Sequence, residues 1–311
     1  MIFDVHYEDK RVQYLQLLFR HADLFAECGF HFRDRGSHPV DPSAEAYILQ
    51  NPYLTAASLT WDKPIILAER RDSAVLFWRH YTMHPNIRAI WKLNVAGFAI
   101  QNVRERYHSG LLGAPDASPL TRSISPEEYA KIHAVPHYGL FEPMRRWLDN
   151  PTPAMRKRYS VSFRGKIHYP YAPEIGLHRK SAIAAISKIR RGHASIGRRH
   201  VSEYDREISQ SHAVASPWGY GETCWRDAEA MFAGVPLIKP WTGYVRTWPR
   251  LFGNGDYIAC SPDFSDLDKC VEIATGRDHR EMIQRNRERM RDAWRAEAIV
   301  EQMLPGLLAC L

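Results

Sequence analysis

Residues 213–240 read AVASPWGYGETCWRDAEAMFAGVPLIKP, from Ala213 to Pro240, and this stretch decides the fold. It parses as a strand over 212–216, a glycine-rich turn, a helix over 222–233, a stop at Gly234 and a strand over 235–238 bounded by Pro236 and Pro240. Gly219 and Gly221 remove the side chains that keep a backbone away from an anion. The helix that follows presents unpaired N–H groups and the positive end of its macrodipole, a combination suited to phosphate. Gly234 is placed for the left-handed conformation that ends a helix. The unit is βαβ, with its functional edge at the glycines.

On the predicted helix Arg226 and Glu229 are three residues apart and share a face, while Cys224, Ala228, Met231 and Phe232 supply the packing side. A guanidinium offers forked donors to diphosphate oxygens, and a carboxylate accepts hydrogen bonds from a ribose diol. The plainer alternative is an i,i+3 ion pair worth a few tenths of a kcal/mol. Upstream, 159–163 alternates like a strand and leads to Gly165, followed by a helix over 179–189, a strand near 200–201 and an amphipathic helix over 205–211. In the first half, strands are expected at 1–5, 64–68, 74–78 and 87–93, with a helix around 14–25. Prolines and glycines between 104 and 153 weaken the pattern, which sets a domain junction near residue 155.

At 311 residues the chain is long enough for two domains. Its net charge of +7 favours an anionic partner, although the basic residues are interspersed with acidic ones rather than gathered into a stripe. Five scattered cysteines, at 28, 224, 260, 270 and 310, point to a reducing compartment. No apolar run approaches the roughly 18–20 residues of a membrane span, and the first residues lack the pattern of a signal peptide. A cytoplasmic protein is expected, with peripheral membrane contact left open. There is no zinc-finger, RNP or helix-turn-helix signature, so nucleic acid is not an expected partner.

The Gly219-Tyr220-Gly221 turn, with Arg226, Glu229-Ala230-Met231 and Gly234 behind it, resembles the exostosin-like glycosyltransferases of the GT-B architecture. A weaker likeness covers Ser162-Phe163-Arg164-Gly165 and Arg179. The resemblance implies an α/β, GT-B-like fold with two Rossmann-like domains facing a cleft, an acceptor-side domain over 1–155 and a nucleotide-sugar domain over 156–311. Arg226 is then expected at the donor diphosphate and Glu229 at the ribose or nucleoside, with Gly165, Arg179, Trp218, Gly219, Tyr220 and Gly221 completing the donor site. No cofactor and no metal are expected, because a helix end and arginines stabilise the departing diphosphate in such enzymes. The spacing of Glu222 and Glu229 departs from the two-glutamate motif of many retaining GT-B enzymes, which leaves the anomeric outcome open. Glu222 reads as a helix cap.

Sugar transfer with inversion needs a general base at the acceptor hydroxyl. Asp72 is the first candidate and Glu69 the second, with His80, His84, His133 and His137 behind them. Each histidine pair has i,i+4 spacing but is interrupted by turn-like sequence, which argues against a metal site. Asp266-Leu267-Asp268 has an Asp-x-Asp spelling better explained by the start of a helix. Trp218, Tyr220, Trp241, Tyr244 and Trp248 suit either stacking on a base or sugar or packing in the core. The basic closing helix, around 280–303, is expected to cross back to the first domain, its arginines solvated or facing an anionic membrane. The competing reading is a non-catalytic nucleotide-sugar or glycan-binding protein of the same fold.

Overall fold

Short apolar runs form the strands because both faces of each sheet are covered. Ile65-Ile66-Leu67-Ala68 and Ala46-Tyr47-Ile48-Leu49 are fully buried, as expected for interior strands of a parallel sheet. The computed structural model describes residues 1–8, 13–41, 43–50, 53–54, 60–69, 84–96, 103–112, 125–136, 147, 155–197 and 199–311. The expected strand over 74–78 lies outside them, as do Asp72, His80 and His137.

The first half runs β1 (Ile2–His6), α1 (Gln16–Arg20), α2 (Ala22–Glu27), β2 (His31–Gly36), β3 (Ala46–Gln50), β4 (Ile65–Ala68), β5 (Ile87–Lys92), β6 (Val95–Ala96), α3 (Val103–Leu111), α4 (Pro126–Ala130) and β7 (Ile132–Ala134). Six of these strands form a parallel sheet in the order β2-β1-β3-β4-β5-β7. The second half runs β8 (Val161–Gly165), α5 (Pro173–Ser187), β9 (Gly192–Ile196), α6 (Val201–Ser209), β10 (Val214–Ala215), α7 (Trp225–Ala233), β11 (Leu237–Pro240), β12 (Val245–Arg246), β13 (Ile258–Cys260), α8 (Leu267–Gly276), α9 (Arg280–Ala293) and α10 (Ala296–Leu308). Its parallel sheet has the order β13-β11-β10-β8-β9. An antiparallel pair, β12 with β6, joins the two halves.

Several boundaries differ from the sequence reading. The strand expected near 200–201 is instead β9, and His200 begins α6. β2 is an edge strand carrying Arg33 and Arg35, which pair with the buried Asp4 on β1 at 2.5 and 3.0 Å. Such charge at a sheet edge hides a strand from apolar periodicity. The closing helix breaks into α9 and α10. Ile299, Val300, Met303 and Leu307 of α10 pack with Phe3, Val5, Ile66 and Trp91 in one core of the first sheet. Gly306 makes this packing possible, since a Cβ there would lie 2.2 Å from Trp91 Nε1.

Candidate functional site

The decisive stretch folds as βαβ, but its helix begins three residues later than expected. Cys224 is the cap of α7 and Trp225 its first residue. Cys224 N donates to Asp227 Oδ2 at 2.8 Å, so a side chain of the helix occupies the place where an anion was expected. Asp227 is itself fully buried and paired with Lys239 of β11 at 3.0 Å. Gly234 ends the helix at φ 70°, ψ 40°, as its position predicts.

The turn before the helix is an inward-facing device in most of its atoms. Gly219 N donates to Gly221 O at 3.1 Å, so that amide is engaged within the turn. Gly221 is buried behind it. Trp218 is fully buried, with Nε1 donating to Thr242 Oγ1 at 3.0 Å and its ring among His178, His108 and Tyr107. It is a core residue here, and no face of it is offered to a base or sugar. Glu222 is no cap: it is fully buried and lies 3.5 Å from Arg104 Nε. Tyr220 alone projects, 59% exposed.

Beside this turn opens a cleft of about 750 Å³, formed by the ends of β8 and β9, the glycine turn and the start of α7. Gly165, Arg179, Gly219, Tyr220, Arg226 and Glu229 all line it. Six residues singled out from sequence therefore meet at one place, while Trp218 and Gly221 lie behind its wall. Arg226, only 8% exposed, reaches across the end of β8, where Nη2 donates to Arg164 O and the guanidinium carbon sits 4.5 Å from the Phe163 ring centroid. Its Nε and Nη1 are buried without a hydrogen-bond partner. Arg179, in the second turn of α5 rather than at its start, donates through Nη1 to Lys166 O at 2.8 Å and to the Tyr169 hydroxyl. Burial, followed by the neighbouring Arg226 charge, pulls the Arg179 pKa below its ordinary value. Gly165 is what lets both arginines approach: a Cβ there would lie 3.0 Å from Arg226 Nη2 and 3.4 Å from Arg179 Nη1.

The charges around the cleft do not balance. Arg164 is neutralised by Glu207 at 2.6 Å, and Arg199 faces Glu203 at 3.3 Å. Arg226, Arg179 and Lys166 have no carboxylate within ion-pair distance among the described residues. Glu229 accepts from the Tyr204 hydroxyl at 2.5 Å, an arrangement that fixes its carboxylate at the rim. Burial and that carboxylate push the Tyr204 pKa upward, so the phenol stays a donor. Arg104 was not singled out in the sequence, because its partners lie on the glycine turn, 115 positions away.

The acceptor-side candidates fare differently. Glu69 is fully buried and paired with Lys92 Nζ at 2.6 Å, which removes it from any acceptor. His84 Nδ1 accepts from Asn86 N at 3.3 Å in a turn. His133 is half-buried on β7, and burial, then Arg246, lowers its pKa. Asp266 precedes α8, yet its Oδ1 accepts from Ser261 N at 2.8 Å rather than from its own helix. Tyr244 is buried and Trp241 is 43% exposed. All five cysteines are free thiols. Among the described residues no helix is long and apolar enough to cross a membrane.

No family model matches the chain, and no curated protein matches it in sequence. Solved structures do match it in fold. The apo form of the lipopolysaccharide outer core galactosyltransferase WaaB aligns over 100% of this chain and 99% of its own, at 9% identity and a TM-score of 0.51. A T4 phage BGT mutant in complex with UDP-glucose covers 99% of each chain at 11% identity and a TM-score of 0.44. An alpha-glucosyltransferase (AGT) in complex with UDP covers 97% of this chain and 95% of its own at 10% identity and a TM-score of 0.41. Two parallel sheets, each covered on both faces, with a closing helix that returns to the first, thus form the GT-B fold of glycosyltransferases.

Proposed function

We propose that the protein is a glycosyltransferase that moves a sugar from a nucleotide-sugar donor to a glycan, lipid-linked or polysaccharide acceptor. The observation that carries this reading is the pair Arg179 and Arg226, brought together over Gly165 with no carboxylate within ion-pair distance among the described residues and with Arg226 Nε and Nη1 unpartnered. An unpaired buried cation is costly, and a bound diphosphate answers it with charge-assisted hydrogen bonds. Fold alone does not choose among functions, so the weight rests on this site.

In the proposed reaction the donor diphosphate lies between the two guanidiniums, with Glu229 accepting from the ribose. As the bond to the sugar breaks, negative charge grows on the departing diphosphate, and fixed cations in a partly dry site stabilise it without reorganising. No metal is invoked. Asp72 stays the candidate for the acceptor base, supplied from an acceptor-side domain over 1–155 opposite a donor domain over 156–311. The resemblance of Gly219-Tyr220-Gly221, Arg226 and Glu229 to the exostosin-like pattern supports this reading.

A thermal-shift screen of nucleoside diphosphates tests the donor site directly. A ligand at 100 times its Kd stabilises the fold by about 2.7 kcal/mol. Arg226→Ala is expected to abolish the shift; an unchanged response in the variant removes Arg226 from the site. Release of free nucleotide with an acceptor library then separates a transferase from a non-catalytic binding protein, which saturates but gives no product.

A further inference from the structure

We propose that Arg104 is a positioning residue for the donor site, and that α3 is a strut setting the distance between the glycine turn and Arg179. The proposal rests on the donor reading above. Arg104 is 7% exposed and belongs to the first half of the chain. Its Nη1 donates to Gly219 O at 3.0 Å, and its Nε lies 3.5 Å from the buried Glu222 carboxylate. One guanidinium thus grips both sides of the turn, a task that needs a rigid fork rather than a point charge. At the far end of the turn, Thr223 Oγ1 donates to Asn94 Oδ1 at 2.5 Å, and Asn94 is fully buried.

The same helix holds the opposite wall. One turn along from Arg104, His108 donates through Nε2 to His178 Nδ1 at 3.2 Å. His178 Nε2 faces Pro262 O at 2.9 Å and so carries the proton, which leaves Nδ1 as the acceptor. His178 immediately precedes Arg179 on α5. The spacing of Arg104 and His108 on one face of α3 therefore ties Gly219 to the residue beside Arg179. Gly219 in turn is close to Arg179, with an imagined Cβ at 3.6 Å from Arg179 Nη2. Arg104 and His108 do not themselves line the cleft; they act through its two walls.

The test uses the full chain and inorganic pyrophosphate, which probes the anion site whatever the nucleotide base. Binding is followed by calorimetry for the wild type, for Arg104→Lys, and for Arg104→Met combined with Glu222→Gln, which leaves no buried charge stranded. Deuterium uptake over 217–223 and unfolding midpoints are measured alongside. The expected result is a Kd weakened about tenfold in the double variant and by less in Arg104→Lys, as for loss of one hydrogen bond to a charged group. Uptake should rise in the turn while the unfolding midpoint of Arg104→Lys holds. Wild-type affinity in the folded variants overturns the proposal and leaves the donor reading intact. Failure of both variants to fold assigns Arg104 to the core and also overturns it. Failure of the wild type to bind pyrophosphate and nucleoside diphosphates removes the donor reading itself.

Discussion

At the end of β4 the first sheet places Glu69 in the core, 2.6 Å from Lys92 and closed to solvent. At the end of β8 the second sheet places Arg164 and Gly165 on a cleft, with Arg226 and Arg179 leaning over the glycine. Both are interior strands of parallel sheets, and both carry charge where the strand gives way to a loop. Glu69 is cancelled within the protein; the two arginines over Gly165 meet no carboxylate within ion-pair distance among the described residues. Among the four arginines that line the cleft the same contrast recurs in miniature, because Arg164 has Glu207 and Arg199 has Glu203, whereas Arg226 meets no carboxylate within ion-pair distance among the described residues. A charged residue at a strand end becomes informative only once its partner is known.

The comparison is broken most forcefully from its neutralised side. Lys92→Met strands the Glu69 carboxylate in the core and is expected to cost about 3–5 kcal/mol of stability, measured by chemical denaturation. Arg226→Met in the ligand-free protein should change stability by no more than about 1 kcal/mol, since no carboxylate of the described residues lies within ion-pair distance of it. Equal losses in the two variants would mean that the Arg226 charge is answered by an internal acid, and the contrast would be void.

Gly165→Ala sharpens the other side. Its Cβ would lie 2.9 Å from Phe163 Cζ and 3.0 Å from Arg226 Nη2. Overpacking of this kind costs about 1–3 kcal/mol, and here part of it should appear as weaker nucleotide affinity because the guanidiniums must move apart. Titration calorimetry showing intact affinity would separate the glycine from the site.

The contrast also extends to acid. Burial, then Arg104 and His178, hold His108 down at about 2. Burial likewise holds His178 down at about 3, with Lys239, Arg179 and Arg104 adding to it. Both rings are neutral in the folded protein, whereas the unfolded chain takes up protons as pH falls through about 6.5. Their contribution is therefore complete above that pH and is lost as pH falls below it, at about 1 kcal/mol per histidine per pH unit. Replacing His108 with Gln should flatten this slope in unfolding curves between pH 7 and 5; an unchanged slope would assign it to other groups.

The βαβ unit was readable because its signals are local: the glycines, Gly234 and the apolar strand over 235–238. Strands β1, β4 and β5 were legible for the same reason, as unbroken apolar runs. The start of α7 was not, since the choice of Cys224 as cap depends on Asp227 turning back to its amide. Nor was the use of Glu222, whose partner arrives from α3. Trp218 sat beside the glycines in sequence, yet the side chain points into the protein, and no local pattern distinguishes the two faces of a turn. Gly165, Arg179 and Arg226 were found as types. Their convergence belongs to the fold.

The return of α10 to the first sheet bears on how the chain is made. Trp91 and Phe3 leave the ribosome long before Ile299, Val300, Met303 and Leu307, which share their core. During that interval α1 and α2 can reach this core but the share that α10 fills stays open, and chaperones or neighbouring nascent chains meet it first. A truncation that stops short of Gly306 would therefore injure the half of the molecule farthest from it in sequence.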